Sequence, residues 1–160
     1  KEIINLIPTF KLILLGRKNN VFINKLNKML LEFGLKEKVE YIHHQPNAIE
    51  YIYAADVLLQ PSRSEALPRT ILEAMALKTP IIASDVDGIP ELVEDGMSAI
   101  LFSLSNLDKM IQGAQKIYSD NKYRQKLTEN ASQRYWKYFS REHHIQKYAN
   151  FLKQIQISNA

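Results

Sequence analysis

Two glutamates flank the start of a predicted helix, and seven residues separate them. Glu65 lies in the polar loop Pro61–Leu67. Pro68 is at the expected first helical position, and Glu73 falls on the second turn of the helix. A carboxylate accepts hydrogen bonds from neighbouring hydroxyls such as those of a hexose or a ribose. The pattern therefore predicts a site for a sugar joined to a phosphate, although the spacing alone equally allows two acids without a ligand.

Main-chain amides at this helix start are the expected phosphate donors, because the first N–H groups of a helix have no partner within it. Since Pro68 has no N–H, the amides that remain are those of Leu67, Arg69 and Thr70. The side chain of Arg69 or of Arg63 adds positive charge at the same place. We expect these groups to form the anion-binding half of the site.

Short apolar segments alternate with amphipathic ones along the chain, which is typical of β-α-β-α order. The predicted strands cover residues 11–15, 39–43, 56–60, 80–84 and 98–102. The predicted helices cover residues 1–8, 21–33, 48–54, a helix from residue 68, a single turn at 90–94 and everything after residue 107. Strands joined by crossover helices form a parallel sheet that is covered on both faces. We therefore predict one α/β domain over residues 1–160, a doubly wound, Rossmann-like parallel sheet of about five strands with an all-helical part over residues 107–160.

Ligands of open parallel sheets lie beyond the carboxyl ends of the strands. The loops predicted at that edge are residues 16–20, 43–47, 61–67 and 84–89. Asp85 and Asp87 in the last loop either approach the ligand or cap the turn, and the sequence leaves both roles open.

Composition excludes several classes of function. The chain has no cysteine, which excludes disulfides, thiol nucleophiles and Cys-ligated zinc and favours a cytoplasmic location. The net charge of +4 comes largely from the C-terminal third. We interpret this surface as a solvated helix face, and because no second basic and aromatic surface accompanies it, we expect no nucleic-acid partner. No uncharged run approaches the roughly 20 residues that a bilayer crossing needs.

Two longer segments carry a resemblance to a known family. The segment 56–76 contains both glutamates, and the segment 80–96 contains Asp85-Val-Asp-Gly-Ile-Pro-Glu91. Together with Val39-Glu-Tyr-Ile-His-His-Gln-Pro46 and Tyr53-Ala-Ala-Asp56, they resemble the C-terminal domain of the retaining glycosyltransferases of family 4. The resemblance covers nearly the whole chain.

The resemblance implies a GT-B architecture, in which two Rossmann-like domains face a cleft. This chain would be the donor-binding half of an enzyme that moves a sugar from a nucleoside-diphosphate sugar to a glycan or lipid-linked acceptor with retention. The implied partners are the nucleotide-sugar donor, a missing N-terminal acceptor domain and the acceptor. The aromatic residues near Trp136 are too close in sequence to share one face, so some are expected to pack and the others to contact either the missing domain or the inner face of a membrane. We expect the fragment to be inactive alone, because the family's phosphate-binding Arg and Lys precede it.

The resemblance also implies roles for individual residues. Glu65 would be the catalytic-site residue that lies against the sugar hydroxyls, and Glu73 would hold the ribose. The other implied donor-binding residues are the diphosphate-binding segment Ala66, Leu67, Pro68, Arg69 and Thr70, and the base-bordering residues His43, His44 and Gln45. Gly16 departs from the family pattern, because Arg17 and Lys18 follow it in place of a glycine-rich turn, and we count Gly16 with Arg17 or Lys18 as further candidates for donor binding. No cofactor and no metal are expected, since a helix dipole and basic side chains stabilise the departing diphosphate.

The sequence departs from the family pattern at three glycine positions, which hold Ala66, Lys78 and Asp87. The methyl group of Ala66 is expected to narrow the choice of donor. Lys78, if it is left-handed at the helix end, carries a strain of roughly 1–2 kcal/mol.

Other functions of the same fold stay open at this point. A nucleotide-sugar epimerase is the alternative enzyme, and a non-catalytic nucleotide-sugar-binding or interaction domain is the alternative without chemistry. A pyridoxal-dependent phosphorylase is disfavoured because Lys78 is poorly placed for a cofactor. A nicotinamide-dependent dehydrogenase is disfavoured because no Gly-x-Gly-x-x-Gly follows the first strand.

Overall fold

The computed structural model describes residues 2–17 and 19–158. The chain divides into two compact units, Lys1–Tyr51 and Ile52–Ala160, and each is described by itself. The elements of the first part are α1 (Glu2–Leu6), β1 (Leu12–Gly16), α2 (Asn20–Glu32), a 3-10 turn (Lys36–Lys38) and β2 (Val39–His43). After α3 (Ala48–Ala54), the second unit contains β3 (Leu58–Gln60), α4 (Arg69–Leu77), β4 (Ile81–Ser84), α5 (Ile89–Leu92), β5 (Ile100–Phe102), α6 (Asp108–Ser119), α7 (Asn121–Tyr138) and α8 (Arg141–Ser158).

The first unit is built on one parallel strand pair. Strands β1 and β2 pair in register from Leu12 with Val39 to Gly16 with His43. Helix α2 begins where the side chain of Asn19 accepts a hydrogen bond from the amide of Phe22 at 3.1 Å. It ends before Gly34, whose φ of +66° is the left-handed conformation expected of a glycine past a helix end.

The second unit is built on a three-stranded parallel sheet with the order β3-β4-β5. All four residues of β4 are buried, and alternate side chains enter two separate clusters. Ile81 packs on one face with Ile71 and Met75 of α4. Ile82 packs on the other face with Ile117 of α6. Helices therefore cover both faces of this sheet, and the predicted α/β class is confirmed.

The strands pair differently in detail from the expectation of one continuous sheet. Among the described residues, the five strands form one sheet of two strands and one of three. Strand β3 begins at Leu58 rather than at residue 56, and its pairing with β4 begins opposite Ile81. Pro80 precedes that pair and has no N–H to donate, although its carbonyl accepts from the amide of Leu58 at 2.8 Å.

In the part of the chain that the structure describes, three helices follow β5, as the helical pattern after residue 107 predicts. Ser140 caps α8, because its hydroxyl accepts a hydrogen bond from the amide of His143 at 3.2 Å. Tyr135 and Phe139 pack against the core, whereas Trp136 and Tyr138 are exposed. No helix in the described ranges is both long enough and apolar enough to cross a membrane.

Candidate functional site

The polar loop after β3 is fixed to the first turn of α4 by a chain of side-chain hydrogen bonds. Thr70 Oγ1 donates to Gln60 Oε1 at 3.1 Å. Gln60 Nε2 donates to Ser62 Oγ at 2.8 Å, and Ser62 Oγ lies 3.4 Å from Glu65 Oε2, to which it donates. The carboxylate of Glu65 is therefore connected to the helix start through two side chains. Its second oxygen, Oε1, has no hydrogen-bond partner in the described part of the chain.

The last residue of β4 holds the same loop through hydrogen bonds to its main chain. Ser84 is the last residue of β4 and is fully buried. Its hydroxyl donates to the carbonyl of Ser62 at 2.6 Å, with the carbonyl of Gln60 at 3.3 Å. A polar residue at the end of an apolar strand thus satisfies the main chain of the loop from the neighbouring strand.

The loop after β4 contributes a second set of bonds. Asp87 Oδ2 accepts from Ser64 Oγ at 2.7 Å and from the amide of Glu65 at 3.0 Å. The amide of Gly88 donates to the carbonyl of Glu65 at 3.2 Å. The hydroxyl of Ser64 and then the amide of Glu65 hold the pKa of Asp87 below its ordinary value, so its carboxylate stays ionised at neutral pH.

Gly88 lies against the main chain of the polar loop after β3, residues 61–67, which we call the glutamate loop. A Cβ atom at this position would lie 1.7 Å from the carbonyl oxygen of Ala66. The φ of Gly88 is −80°, which any residue adopts, so the position requires glycine for space rather than for conformation. Ala66 itself and Leu67 are exposed beside α4.

The helix start differs from the prediction by one residue. Pro68 is the N-cap of α4 with an extended ψ of 112°, and Arg69 is the first helical residue. The expectation that Pro68 occupies the first helical position was therefore wrong. The amide of Ile71 donates to the carbonyl of Pro68 at 3.1 Å. Within the described residues, the amides of Arg69 and Thr70 make no hydrogen bond, which leaves two donors at the positive end of the helix.

Glu73 is half-buried on the second turn of α4, and its Oε1 lies 3.9 Å from Arg69 Nη2. The Arg69 side chain is 89% exposed, so this contact contributes little to stability. Arg63 in the loop is also exposed. Two arginines near the helix start can therefore turn towards an anion without breaking a buried interaction.

The candidate residues of the first unit lie at the carboxyl ends of its two strands. Gly16 and His43 are the last residues of β1 and β2 and are paired in the strand register. The amide of His44 donates to the carbonyl of Gly16 at 2.7 Å. The hydroxyl of Tyr41 donates to the carbonyl of Arg17 at 2.6 Å.

The described side chains in this part of the first unit do not by themselves indicate which ligand binds there. Arg17 and Gln45 are exposed, and Lys18 lies outside the described residues. The donor-binding roles expected for Gly16, Arg17, His43, His44 and Gln45 stay predictions.

Sequence reasoning missed the side chains that hold the loop. These are Gln60, Ser62, Ser64 and Ser84, together with the role of Asp87. One signal was present, because Gln60 and Ser84 are the polar residues that end two apolar strands. Polar residues at that edge of a parallel sheet are placed to hold loops or ligands.

Comparison with known proteins gives consistent matches. The sequence model of the family described as Glycosyl transferases group 1 matches residues 1–134. The alpha-D-kanosaminyltransferase of Streptomyces kanamyceticus is 30% identical over 112 residues, which are 67% of this chain and 28% of that protein. The crystal structure of Anabaena Alr3699/HepE in complex with UDP superposes with a TM-score of 0.85 at 21% identity, over 96% of this chain and 45% of that one. The C-terminal domain of LpcC, a glycosyl transferase group 1 family protein from Francisella tularensis, superposes with a TM-score of 0.77 at 22% identity, over 88% of this chain and 75% of that one.

The chain spans less than half of the kanosaminyltransferase and of HepE. The likeness to the two structures confirms the Rossmann-like α/β fold. Because the family's sequence model matches 134 of the 160 residues, this chain belongs to the group 1 family of glycosyl transferases.

Proposed function

We propose that this chain is the donor-binding, C-terminal half of a retaining GT-B glycosyltransferase of the family 4 type. The intact enzyme would move a sugar from a nucleoside-diphosphate sugar to a glycan or lipid-linked acceptor. The observation that carries the proposal is the glutamate loop, which Gln60 of β3, Ser84 of β4 and Asp87 of the loop after β4 hold by hydrogen bonds beside the start of α4. The UDP complex of HepE and the match to an isolated C-terminal domain support the ligand class and the domain assignment.

In this proposal the diphosphate lies at the start of α4. The amides of Arg69 and Thr70 would donate to it, and the exposed guanidinium groups of Arg69 and Arg63 would add charge. These donors are fixed before the reaction, so they stabilise the negative charge that grows on the departing diphosphate without reorganisation. We further propose that no metal ion takes part.

Glu65 would orient the sugar, and Glu73 would hold the ribose. A carboxylate accepts from two hydroxyls at once, and Oε1 of Glu65 is open while Ser62 contacts only Oε2. The sequence offers no evident protein nucleophile, so the departing diphosphate would take the proton of an acceptor that attacks from the same face. That geometry retains the configuration of the sugar.

The test is Glu65→Gln in the full-length protein, with sugar transfer from a nucleotide sugar as the measurement. Glutamine keeps the shape but removes the charge, and each lost charge-assisted hydrogen bond to a sugar hydroxyl costs about 1.5–3 kcal/mol. We therefore expect kcat/KM to fall by at least about 100-fold with unchanged thermal stability. Glu142→Gln on the exposed start of α8 is the matched control and should retain the wild-type rate. A wild-type rate in Glu65→Gln contradicts the proposed role.

A further inference from the structure

Asp87 has a positive φ, which is uncommon for a residue other than glycine. Its φ is +45°, and Lys78 is the other non-glycine residue with positive φ in the described part of the chain. Aspartate tolerates this conformation better than most residues, and non-glycine residues that adopt it are found both in turns and at functional sites.

The side chain of Asp87 reaches a loop that lies more than twenty residues earlier. Its Oδ2 accepts from the hydroxyl of Ser64 at 2.7 Å and from the amide of Glu65 at 3.0 Å. The next residue, Gly88, donates its amide to the carbonyl of Glu65 at 3.2 Å. The N–H and the C=O of Glu65 are therefore both held by consecutive residues of the loop after β4.

This main-chain hold is stronger than the hold on the Glu65 side chain. Among the described residues, the carboxylate of Glu65 has one contact, with Ser62 Oγ at 3.4 Å, which is longer than a typical O–H···O bond. The direction of the Glu65 side chain consequently depends on where its own Cα is placed. The two bonds to Asp87 and the bond from Gly88 set that placement.

We infer that Asp87 is a positioning residue for Glu65, and that it serves recognition of the sugar part of the donor rather than the nucleotide part. The inference rests on the proposed function. Asp87 acts through the hydroxyl of Ser64 and the main-chain amide of Glu65, whereas the proposed diphosphate donors are amides of α4 that Asp87 does not contact. Loss of Asp87 should therefore weaken binding of the sugar and spare binding of the nucleoside diphosphate.

The test is calorimetry on the full-length protein with UDP-glucose, UDP-N-acetylglucosamine, GDP-mannose and ADP-glucose, each compared with UDP, GDP or ADP alone. The dissociation constant of the nucleoside diphosphate divided by that of the nucleotide sugar measures how much affinity the sugar adds, and we call this quotient the ratio. In Asp87→Gly, which accepts φ +45° without strain, we expect this ratio to fall by about 10-fold while the affinity for the nucleoside diphosphate stays within about twofold. Thermal melting reports folding independently.

Two further variants separate positioning from direct contact with the sugar. Asp87→Asn keeps an acceptor oxygen and tolerates positive φ, so it should restore most of the ratio. Ser64→Ala removes one of the two donors to Asp87 and should lower the ratio in part, which a direct contact between Asp87 and the sugar would not predict. Asp108→Asn makes the same substitution at the start of α6 and should change nothing.

Each outcome decides between the hypotheses. An unchanged ratio in Asp87→Gly, or an equal loss of affinity for nucleotide sugar and nucleoside diphosphate, overturns the positioning role and leaves the proposed function standing. An unchanged ratio in Ser64→Ala together with a lowered ratio in Asp87→Asn shows direct contact instead. If the wild-type protein binds none of the nucleotide sugars, the proposed function fails and this inference fails with it.

Discussion

Gly88 has no side chain at a point where a main-chain carbonyl lies against its Cα. An alanine there would place its Cβ 1.7 Å from the carbonyl oxygen of Ala66, and a backbone atom yields less easily than the end of a flexible side chain. We expect Gly88→Ala to displace the glutamate loop. The cost in unfolding free energy should be about 1–3 kcal/mol, measured by denaturant titration.

The control for this substitution is Gly34→Ala, because no heavy atom lies within 4 Å of a Cβ at residue 34. It should lose stability through its φ of +66° alone and leave nucleotide-sugar binding unchanged. Gly88→Ala should reduce both stability and nucleotide-sugar binding. Wild-type stability and binding in Gly88→Ala would show that the loop is not held against this residue.

The residue scale also shows where prediction from sequence ends. Glu65 and Glu73 are identified from their spacing and their neighbours, since both lie at one predicted helix start. The role of Asp87 could not be predicted in the same way. An Asp-Gly pair indicates a turn whether the carboxylate caps that turn or reaches a loop far away in sequence. Only the tertiary structure distinguishes the two, and it places the carboxylate on Ser64 and Glu65.

At the scale of elements, helix α4 ends at Lys78, which has a strained main-chain conformation and forms an ion pair. Lys78 has a φ of +59°, which confirms the left-handed conformation considered from the sequence. Its ammonium group lies 2.6 Å from Glu129 Oε2 on α7. The hydrogen bond from Lys78, followed by that from Gln133, lowers the pKa of Glu129 from its ordinary value of 4.5.

The strain and the ion pair of Lys78 have opposite effects on stability, and the substitution Lys78→Gly removes both. Lys78→Gly relieves roughly 1–2 kcal/mol of strain and adds about 0.4–1 kcal/mol of chain entropy to the unfolded state. The exposed ion pair that it removes contributes little. We therefore expect the free energy of unfolding to rise by roughly 0.5–1 kcal/mol near neutral pH, measured by denaturant titration. A loss of more than about 1 kcal/mol would contradict the assigned strain.

The gain should depend on pH in a definite direction. A carboxylate whose pKa is lowered on folding stabilises the protein above its unfolded pKa, and this contribution disappears as the pH falls through its folded value. The contribution of Glu129 should thus begin to fall once the pH drops below about 4.5, so the advantage of Lys78→Gly should grow as the pH is lowered from about 7 through this range. Glu129→Gln, which leaves the strain in place, should show a small loss near pH 7 and none in acid.

The sequence predicted the presence of each strand better than the residues at which the strands begin and end. The segments rich in isoleucine and leucine become β1 to β5, but β3 and β5 are shorter than their apolar patterns. Pro80 has no N–H to donate to the strand ladder, so the pairing of β3 with β4 begins only at Leu58, opposite Ile81. Asp95 Oδ1 accepts from the amide of Leu101, so a side chain takes a strand amide near the start of β5. Bonds from single side chains of this kind are not visible in hydrophobic periodicity.

At the scale of the whole molecule, the alternation of strand and helix patterns was sufficient for the fold class. It requires parallel strands with crossover helices, and each pairing in the structure is parallel among the described residues. It does not determine which strands share hydrogen bonds, because that depends on contacts between segments far apart in sequence. The division into sheets of two and three strands could therefore not be predicted.

The groups of the glutamate loop and the start of α4 belong to the unit Ile52–Ala160. The strand ends that hold the loop, Gln60 and Ser84, continue into the buried sheet β3-β4-β5. Core packing and the polar loop are consequently coupled, since movement of β4 moves the hydroxyl of Ser84. Sites supported by strands in this way are more precisely placed than sites on unsupported loops.

The central claim is that Glu65, Glu73 and the start of α4 together bind one sugar nucleotide, and a crystal structure of the full-length protein with a bound nucleotide sugar tests it most directly. We predict that both carboxylate oxygens of Glu65 lie within about 3 Å of sugar hydroxyls, that Glu73 contacts the ribose, and that the amides of Arg69 and Thr70 contact the diphosphate. A nucleotide sugar bound with its diphosphate away from α4, or with the two glutamates turned to different sides of the molecule, would contradict the claim.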